Sequence, residues 1–152
     1  MESTDPFNLT RFLTAQESHY RRALSEIRRG RKTTHWIWFI FPSLHGISTS
    51  ARGNEYAISN LSEARAYLQH PVLSTRLVEI TQAVLDSDVE KILTLMGSHV
   101  DVTKMHASMT MFLRADPEGK VFHFQAVLDK YYAGARHGKT DMILDEETGE
   151  ER

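Results

Sequence analysis

The sequence contains no cysteine among its 152 residues. This absence excludes disulfides, thiolate metal sites and a thiol nucleophile. Long apolar runs are also absent, since the longest covers residues 36–41 and a membrane-spanning helix needs ~20 apolar residues. The chain does not open with a basic region followed by an apolar stretch. We therefore expect no secretory signal, no membrane association and a cytoplasmic location.

Neither sign of charge dominates the composition. The net charge is −2, with 25% charged and 41% hydrophobic residues, which is typical of a globular protein and excludes a disordered or fibrous chain. The length fits one domain, because single cores hold about 100–200 residues. From Asp145 onward the chain is acidic and poor in apolar residues. We predict a single domain over residues 1–144 and a disordered acidic tail over residues 145–152.

Apolar residues recur at intervals of three and four along most of the chain, which is the period of an amphipathic helix. The stripes over residues 9–13 and 20–27 indicate either one long helix or two helices with a break near Glu17. No segment alternates apolar and polar residues for long enough to require a sheet. We predict an all-α single domain, an irregular array of about seven short helices.

The segment over residues 34–42 reads THWIWFIFP and has no polar face at either period. The pattern predicts burial but leaves open whether residues 35–41 form a short helix or a buried strand. Trp36 and Trp38 would point the same way in a strand and diverge by about 200° in a helix. We favour the helix, with one indole in the core and the other lining a cavity beside His35.

A series of short strings resembles one protein family: Asp5-Pro6-Phe7, the HWIWFIFP string of residues 35–42, Tyr56-Ala57-Ile58, His70-Pro71-Val72-Leu73, Ser108-Met109-Thr110-Met111-Phe112 and Leu128-Asp129-Lys130-Tyr131. The family is catalogued as domain of unknown function 1810, small bacterial proteins sometimes labelled calpastatin. The resemblance covers about Asp5 to Leu144 and implies a compact, mostly helical fold with no established activity. The calpastatin label conflicts with the composition, because that inhibitor is a long disordered chain. The chain departs from the family pattern at Ser43, where glutamine is usual, and at Ala107, where serine is frequent.

The first candidate site combines Lys32, His35, Trp36 and Trp38. A cation and an imidazole beside two indoles can bind an anionic, planar ligand. The alternative is that both tryptophans belong to the core and His35 makes one buried hydrogen bond. If the protein is an enzyme, His35 is the candidate catalytic residue, because histidine titrates near neutral pH and can act as a general acid or base.

The second candidate site joins Lys104 and Ser108, which are four residues apart in a predicted helix. Such a pair can activate the serine or hold a phosphate or carboxylate. An ordinary solvent-facing lysine is the alternative, and neither a GxSxG nor an SxxK string is present. Arg52 lies in a hydroxyl-rich loop over residues 48–54, where it can clamp an anion or simply belong to a turn.

Two further kinds of site are not favoured. Basic residues cluster over residues 21–32, but Glu17 and Glu26 interrupt them and the net charge is negative; the pattern favours a solvated helix face over a nucleic-acid surface. The eight histidines form no HExxH pair, and no glycine-rich phosphate loop is present. We therefore predict no metal and no cofactor.

The leading functional prediction is a polar pocket beside the HWxWF segment that binds an anionic or nucleotide-like small molecule. The candidate ligand-binding residues are Lys32, His35, Trp36, Arg52, Lys104 and Ser108. The alternative is a non-catalytic protein-interaction or regulatory module, whose exposed helix face and acidic tail would contact a partner protein. The sequence leaves open whether the protein is an enzyme.

Overall fold

The structure is a computed structural model that describes residues 4–149. Its elements are all helices: α1 (Thr10–Glu17), α2 (Tyr20–Arg28), α3 (Ile37–Ile40), α4 (Ala51–Glu55), α5 (Leu61–Gln69), α6 (Pro71–Asp86), α7 (Ile92–Met96), α8 (His99–Ala115), α9 (Gln125–Tyr131) and α10 (Gly138–Thr148). Over these residues the one extended pairing is an isolated parallel bridge between Leu44 and Ile58. The predicted all-α single domain is confirmed, with ten helices where about seven were expected.

Helix α8 is the centre of the packing. Helices α5, α7, α9 and α10 pack against it, and α6 joins α2, α5 and α9 on the other side. The core includes a group of fully buried methionine and phenylalanine side chains of α8: Met105, Met109, Met111 and Phe112. Ser108 of the same helix is also fully buried. Ser108 is buried because α8 is surrounded by helices and buries more than one apolar stripe.

Helix boundaries follow local sequence signals where those signals are strong. The N-terminal stripe forms two helices, α1 and α2, with the break at residues 18–19. Pro71 begins α6 directly after α5, because proline fits a first helical turn but disfavours helical geometry in the residue before it. Gly97 ends α7 with a positive φ of 87°, a conformation that glycine adopts without strain.

The extra helices have no apolar stripe of their own. Helix α4 lies in a segment predicted as loop, and the Ser50 hydroxyl starts it by accepting the N–H of Gly53 at 3.0 Å. Helix α10 continues to Thr148, which corrects the predicted start of a disordered tail at residue 145. Ion pairing explains the difference, because buried Asp145 lies 3.0 Å from the Arg114 guanidinium. Residues 150–152 of that predicted tail lie outside the described residues.

The tryptophan segment forms the short helix α3, directly preceded by Trp36. The helix favoured over a strand is therefore confirmed for residues 37–40. Trp36 is fully buried, and its indole N–H donates to the carboxylate of Glu26 at 3.0 Å. Trp38 is only partly buried against the core. The two indoles thus separate into one core side chain and one that reaches the surface.

Candidate anion-binding site

Two cations from different helices lie over the ring of Trp38. The Arg52 guanidinium carbon from α4 is 5.3 Å from the indole centroid, and the Lys104 ammonium from α8 is 5.6 Å from it. Both distances allow cation–π attraction. Within residues 4–149, neither cation has a carboxylate at ion-pair distance. Positive charge is therefore concentrated at this indole without a neutralising partner.

A tight loop joins the two cations. The Ser48 hydroxyl is 3.4 Å from the Lys104 ammonium and 3.1 Å from the Ser50 hydroxyl. Ser48 folds so closely over Gly53 that a β-carbon at residue 53 would overlap the serine side chain. Glycine at this position therefore permits the approach that brings Ser48 to Lys104 and holds Arg52 in the neighbouring turn of α4.

Two buried polar atoms in or next to this region have no hydrogen-bond partner among the described residues. They are the indole N–H of Trp38 and the hydroxyl of Ser108. Ser108 follows Lys104 by one turn of α8. Because most buried polar groups are hydrogen-bonded, these atoms leave donor capacity unused beside the two cations.

Lys32 has a different environment from Lys104. Its ammonium is buried, lies 2.7 Å from the Asp101 carboxylate and donates to the carbonyl oxygen of Thr34 at 2.7 Å. It also lies 4.9 Å from the ring of Trp36. The charge of Lys32 is thus compensated inside the protein, and the residue links the segment before α3 to the first turn of α8.

The pKa of the Lys104 amine lies below its ordinary value. Partial burial is the main cause, and the nearby charge of Lys32 lowers the pKa further, whereas Asp101 opposes both effects. The depressed pKa therefore reflects the partial removal of this amine from water, which disfavours its charged form.

A cleft of about 430 Å³ adjoins Lys104. One wall is formed by residues 47–50, and the other is formed by His99, Val100, Thr103 and Lys104 at the start of α8. Ser48 and Lys104 belong both to this cleft and to the contacts around Trp38. The cleft and the cation contacts are therefore linked through Ser48 and Lys104, whereas Arg52 and Trp38 do not line the cleft.

The structure brings only some of the predicted residues together. Arg52 and Lys104 meet at the indole, while exposed His35 has its ring centroid 6.3 Å from that of Trp38 and makes no hydrogen bond within the described chain. Lys32 and Trp36 lie on the core side, and the fully buried Ser108 follows Lys104 by one turn of α8 and does not line the cleft. Trp38 belongs to the first candidate site predicted from the sequence, but the list of candidate ligand-binding residues names Trp36, the core indole, in its place.

The match to a known family model covers residues 6–144, and the model is described as "Protein of unknown function (DUF1810)". The chain belongs to the DUF1810 family. Among solved structures, this DUF1810 protein is similar to the conserved hypothetical protein Rv1873 from Mycobacterium tuberculosis, with 43% identity and a TM-score of 0.87. The similarity covers 92% of this chain and 98% of the mycobacterial chain. A search among curated proteins found no match.

The basic cluster of residues 21–32 lies mostly on the surface of the DUF1810 chain. The arginines of the basic cluster, Arg21, Arg22, Arg28, Arg29 and Arg31, are all exposed. Glu26, which was expected to interrupt this solvated face, is instead buried. Between residues 4 and 149, no group of three or more histidine or acidic side chains could hold a metal ion. None of the helices described has the length and apolar character that crossing a membrane requires.

Proposed function

We propose that this DUF1810 protein binds an anionic, nucleotide-like small molecule at the cleft beside Trp38. The carrying observation is that Arg52 and Lys104 lie over one indole and that no carboxylate of residues 4–149 lies at ion-pair distance from either cation. The positive charges of Arg52 and Lys104 repel each other, and an anion bound between or beside them would attract both.

The two cations are suited to complementary parts of an oxyanion. The guanidinium of Arg52 can donate two parallel hydrogen bonds to a phosphate or carboxylate, while Lys104 supplies a compact charge with three donors. The buried N–H of Trp38, which has no hydrogen-bond partner among residues 4–149, adds a neutral donor at the same ring. Together these groups favour an anion over a neutral or cationic ligand.

His35 is the candidate for proton transfer if the bound molecule reacts. Its imidazole is exposed and near the Trp38 ring, and an imidazole can act as a general acid or base. Binding itself does not require His35. The proposal therefore concerns a binding site in a cytoplasmic protein, with His35 as the residue through which a reaction would proceed.

A thermal-shift screen of nucleotides and phosphorylated metabolites tests the proposal. A ligand at 100 times its Kd stabilises the folded state by about 2.7 kcal/mol, which raises the Tm by several degrees for a domain of this size. Lys104→Gln should remove most of the shift. Lys120→Gln is the matched control, because Lys120 is 77% exposed and its ion pair among the described residues is with Glu118, which is 73% exposed.

The melting temperature of His35→Ala tests whether His35 contributes to folding. Because His35 is exposed and without hydrogen bonds in the part of the chain described, the variant should unfold at the wild-type temperature. The proposal would be refuted if no anion raised the Tm of the wild type, or if Lys104→Gln and Arg52→Gln responded to every anion as the wild type does.

A further inference from the structure

We infer that the ligand of this site is a phosphorylated sugar unit, with its phosphate at Arg52 and Lys104 and its hydroxyl groups in the adjoining cleft. The inference rests on the proposed anion site and specifies what the rest of the ligand is. A sugar phosphate occurs both as a free metabolite and as the ribose phosphate of a nucleotide, and the experiment below includes one probe of each kind.

The size of the cleft limits the ligand. Its volume of about 430 Å³ lies near the lower end of the ~300–1,000 Å³ typical of small-molecule sites. A single phosphorylated sugar fits a space of this size. Lys104 lines the cleft and also lies over the Trp38 ring. A phosphate bound to Lys104 would therefore place the sugar attached to it inside the cleft.

The chemistry of the walls is that of a polyol site. Residues with side-chain hydroxyls come from both segments that line the cleft: Ser48, Thr49 and Ser50 from one, and Thr103 from the other. Each hydroxyl can donate and accept a hydrogen bond, which matches the dual character of sugar hydroxyls. Ile47 and Val100 add an apolar surface for the C–H groups of a sugar ring, and Val100 is 61% exposed.

The same walls are poorly suited to a nucleobase. The residues that line the cleft include no phenylalanine, tyrosine or tryptophan, although stacking on an aromatic ring is a common way of holding a base. The nearest indole, that of Trp38, already has Arg52 and Lys104 over its ring. Recognition is therefore expected to depend on the sugar phosphate, and a base attached to it should add little.

Calorimetric titration of the wild type with five probes tests this inference. Ribose 5-phosphate and adenosine monophosphate should bind with affinities within about threefold of each other. Adenosine and ribose should bind at least about 100-fold more weakly because they lack the charge, and inorganic phosphate at least about tenfold more weakly because it lacks the sugar.

The outcomes separate the two proposals. If adenosine monophosphate binds but ribose 5-phosphate does not, or if inorganic phosphate binds as tightly as ribose 5-phosphate, the sugar inference is overturned and the anion site stands. If no phosphorylated probe binds, or if adenosine binds as well as its monophosphate, both proposals fail.

Two variants locate the contacts. Thr103→Val removes one hydroxyl of the cleft at nearly constant volume and should weaken ribose 5-phosphate about tenfold without changing the affinity for inorganic phosphate. Lys104→Gln should weaken both ligands. Thr94→Val, at an exposed position of the neighbouring α7, is the matched control and should change neither. Equal effects of Thr103→Val and Thr94→Val would overturn the assignment of the sugar to this cleft.

Discussion

Replacing Glu26 by glutamine would test how the segment that leads into α3 is held. The side chain of Glu26 is 1% exposed. Its Oε1 accepts three N–H donors, from the backbone of Thr33 at 2.7 Å, the backbone of Thr34 at 3.0 Å and the indole of Trp36 at 3.0 Å. Its Oε2 accepts the hydroxyl of Thr34 at 2.6 Å. Glu26, which accepts all four hydrogen bonds, lies in the middle of the basic cluster of residues 21–32.

The cost of Glu26→Gln follows from these contacts. In the best arrangement the amide oxygen of Gln at position 26 replaces Oε1 and keeps three hydrogen bonds. Its amide nitrogen then replaces Oε2 and faces the hydroxyl of Thr34, which can rotate to accept a hydrogen bond from it. Each of the three bonds then changes from a charged to a neutral acceptor, which costs about 1 kcal/mol per bond. We expect a total loss of about 3 kcal/mol in the free energy of unfolding, and a Tm about 6–12 °C lower.

The same carboxylate predicts a pH dependence. Burial alone would raise the pKa of Glu26, but hydrogen bonds from Thr34, Thr33 and Trp36 outweigh that effect and lower the pKa to about 2. Because the folded-state pKa lies below the ordinary value of 4.5, the stabilisation is complete above about pH 4.5 and is lost as the pH falls towards 2. The difference between wild type and Glu26→Gln should therefore narrow below pH 4.5.

Urea unfolding followed by tryptophan fluorescence at pH 7 and pH 3.5 would measure both effects. Glu118→Gln is the control, because that side chain is 73% exposed and its contact with Lys120 is worth little. A loss below about 1 kcal/mol at pH 7, relative to the ~3 kcal/mol expected for three charged bonds, would refute the reasoning. A difference that stayed constant between the two pH values would refute it as well.

Three further substitutions probe other contacts. Trp36→Ala should lower the free energy of unfolding by about 3–5 kcal/mol in urea titrations, because it removes a fully buried indole. Gly53→Ala should lower it by about 1–3 kcal/mol through overlap with Ser48, and Ser48→Gly should relieve most of that loss in the double variant. His137 caps α10 because its Nδ1 accepts the N–H of Thr140, which only a neutral imidazole can do. Burial and two basic neighbours lower the pKa of His137. This cap should therefore be intact above about pH 6.5 and weaken as the pH falls through the depressed pKa. His137→Asn, which caps without titrating, should remove that dependence from the hydrogen exchange of the α10 amides.

Each of these expectations has a contradicting result. A change below about 1 kcal/mol for Trp36→Ala would show that the core repacks around the missing indole. If Gly53→Ala were equally destabilising in the presence and absence of the Ser48 side chain, the overlap would not be its cause. If α10 of the His137→Asn variant still lost protection below pH 6.5, another group would control the helix.

The features that the sequence predicts well are encoded within a few neighbouring residues. The boundary at Pro71 and the apolar stripes of α6 and α8 are of this kind, since each depends on backbone preferences or on a repeated spacing. The separation of Trp36 from Trp38 follows equally from the 100° turn per residue of a helix. Local geometry was sufficient in these cases because the decisive neighbours are close in sequence.

The features that were missed depend on partners far away in sequence. Helix α10 has no apolar stripe, and its buried acids Asp141 and Asp145 are stabilised by Arg114 of α8. For the candidate site, the basic residues Arg52 and Lys104 were identified by type, but their meeting at Trp38 depends on how α3, α4 and α8 pack. Residue composition could indicate an anion site, but only the tertiary structure could assemble it.

The ion pair between Lys32 and Asp101 has a consequence for the candidate site that neither residue would suggest alone. Asp101 acts electrostatically on Lys104 as well, but its carboxylate is bound to the buried ammonium of Lys32 at 2.7 Å. One acid is therefore shared between two lysines and compensates mainly the inner one. The positive charge available to an anion is thus governed from inside the protein, and losing Lys32 would free Asp101 to neutralise Lys104 while leaving every residue of the cleft unchanged.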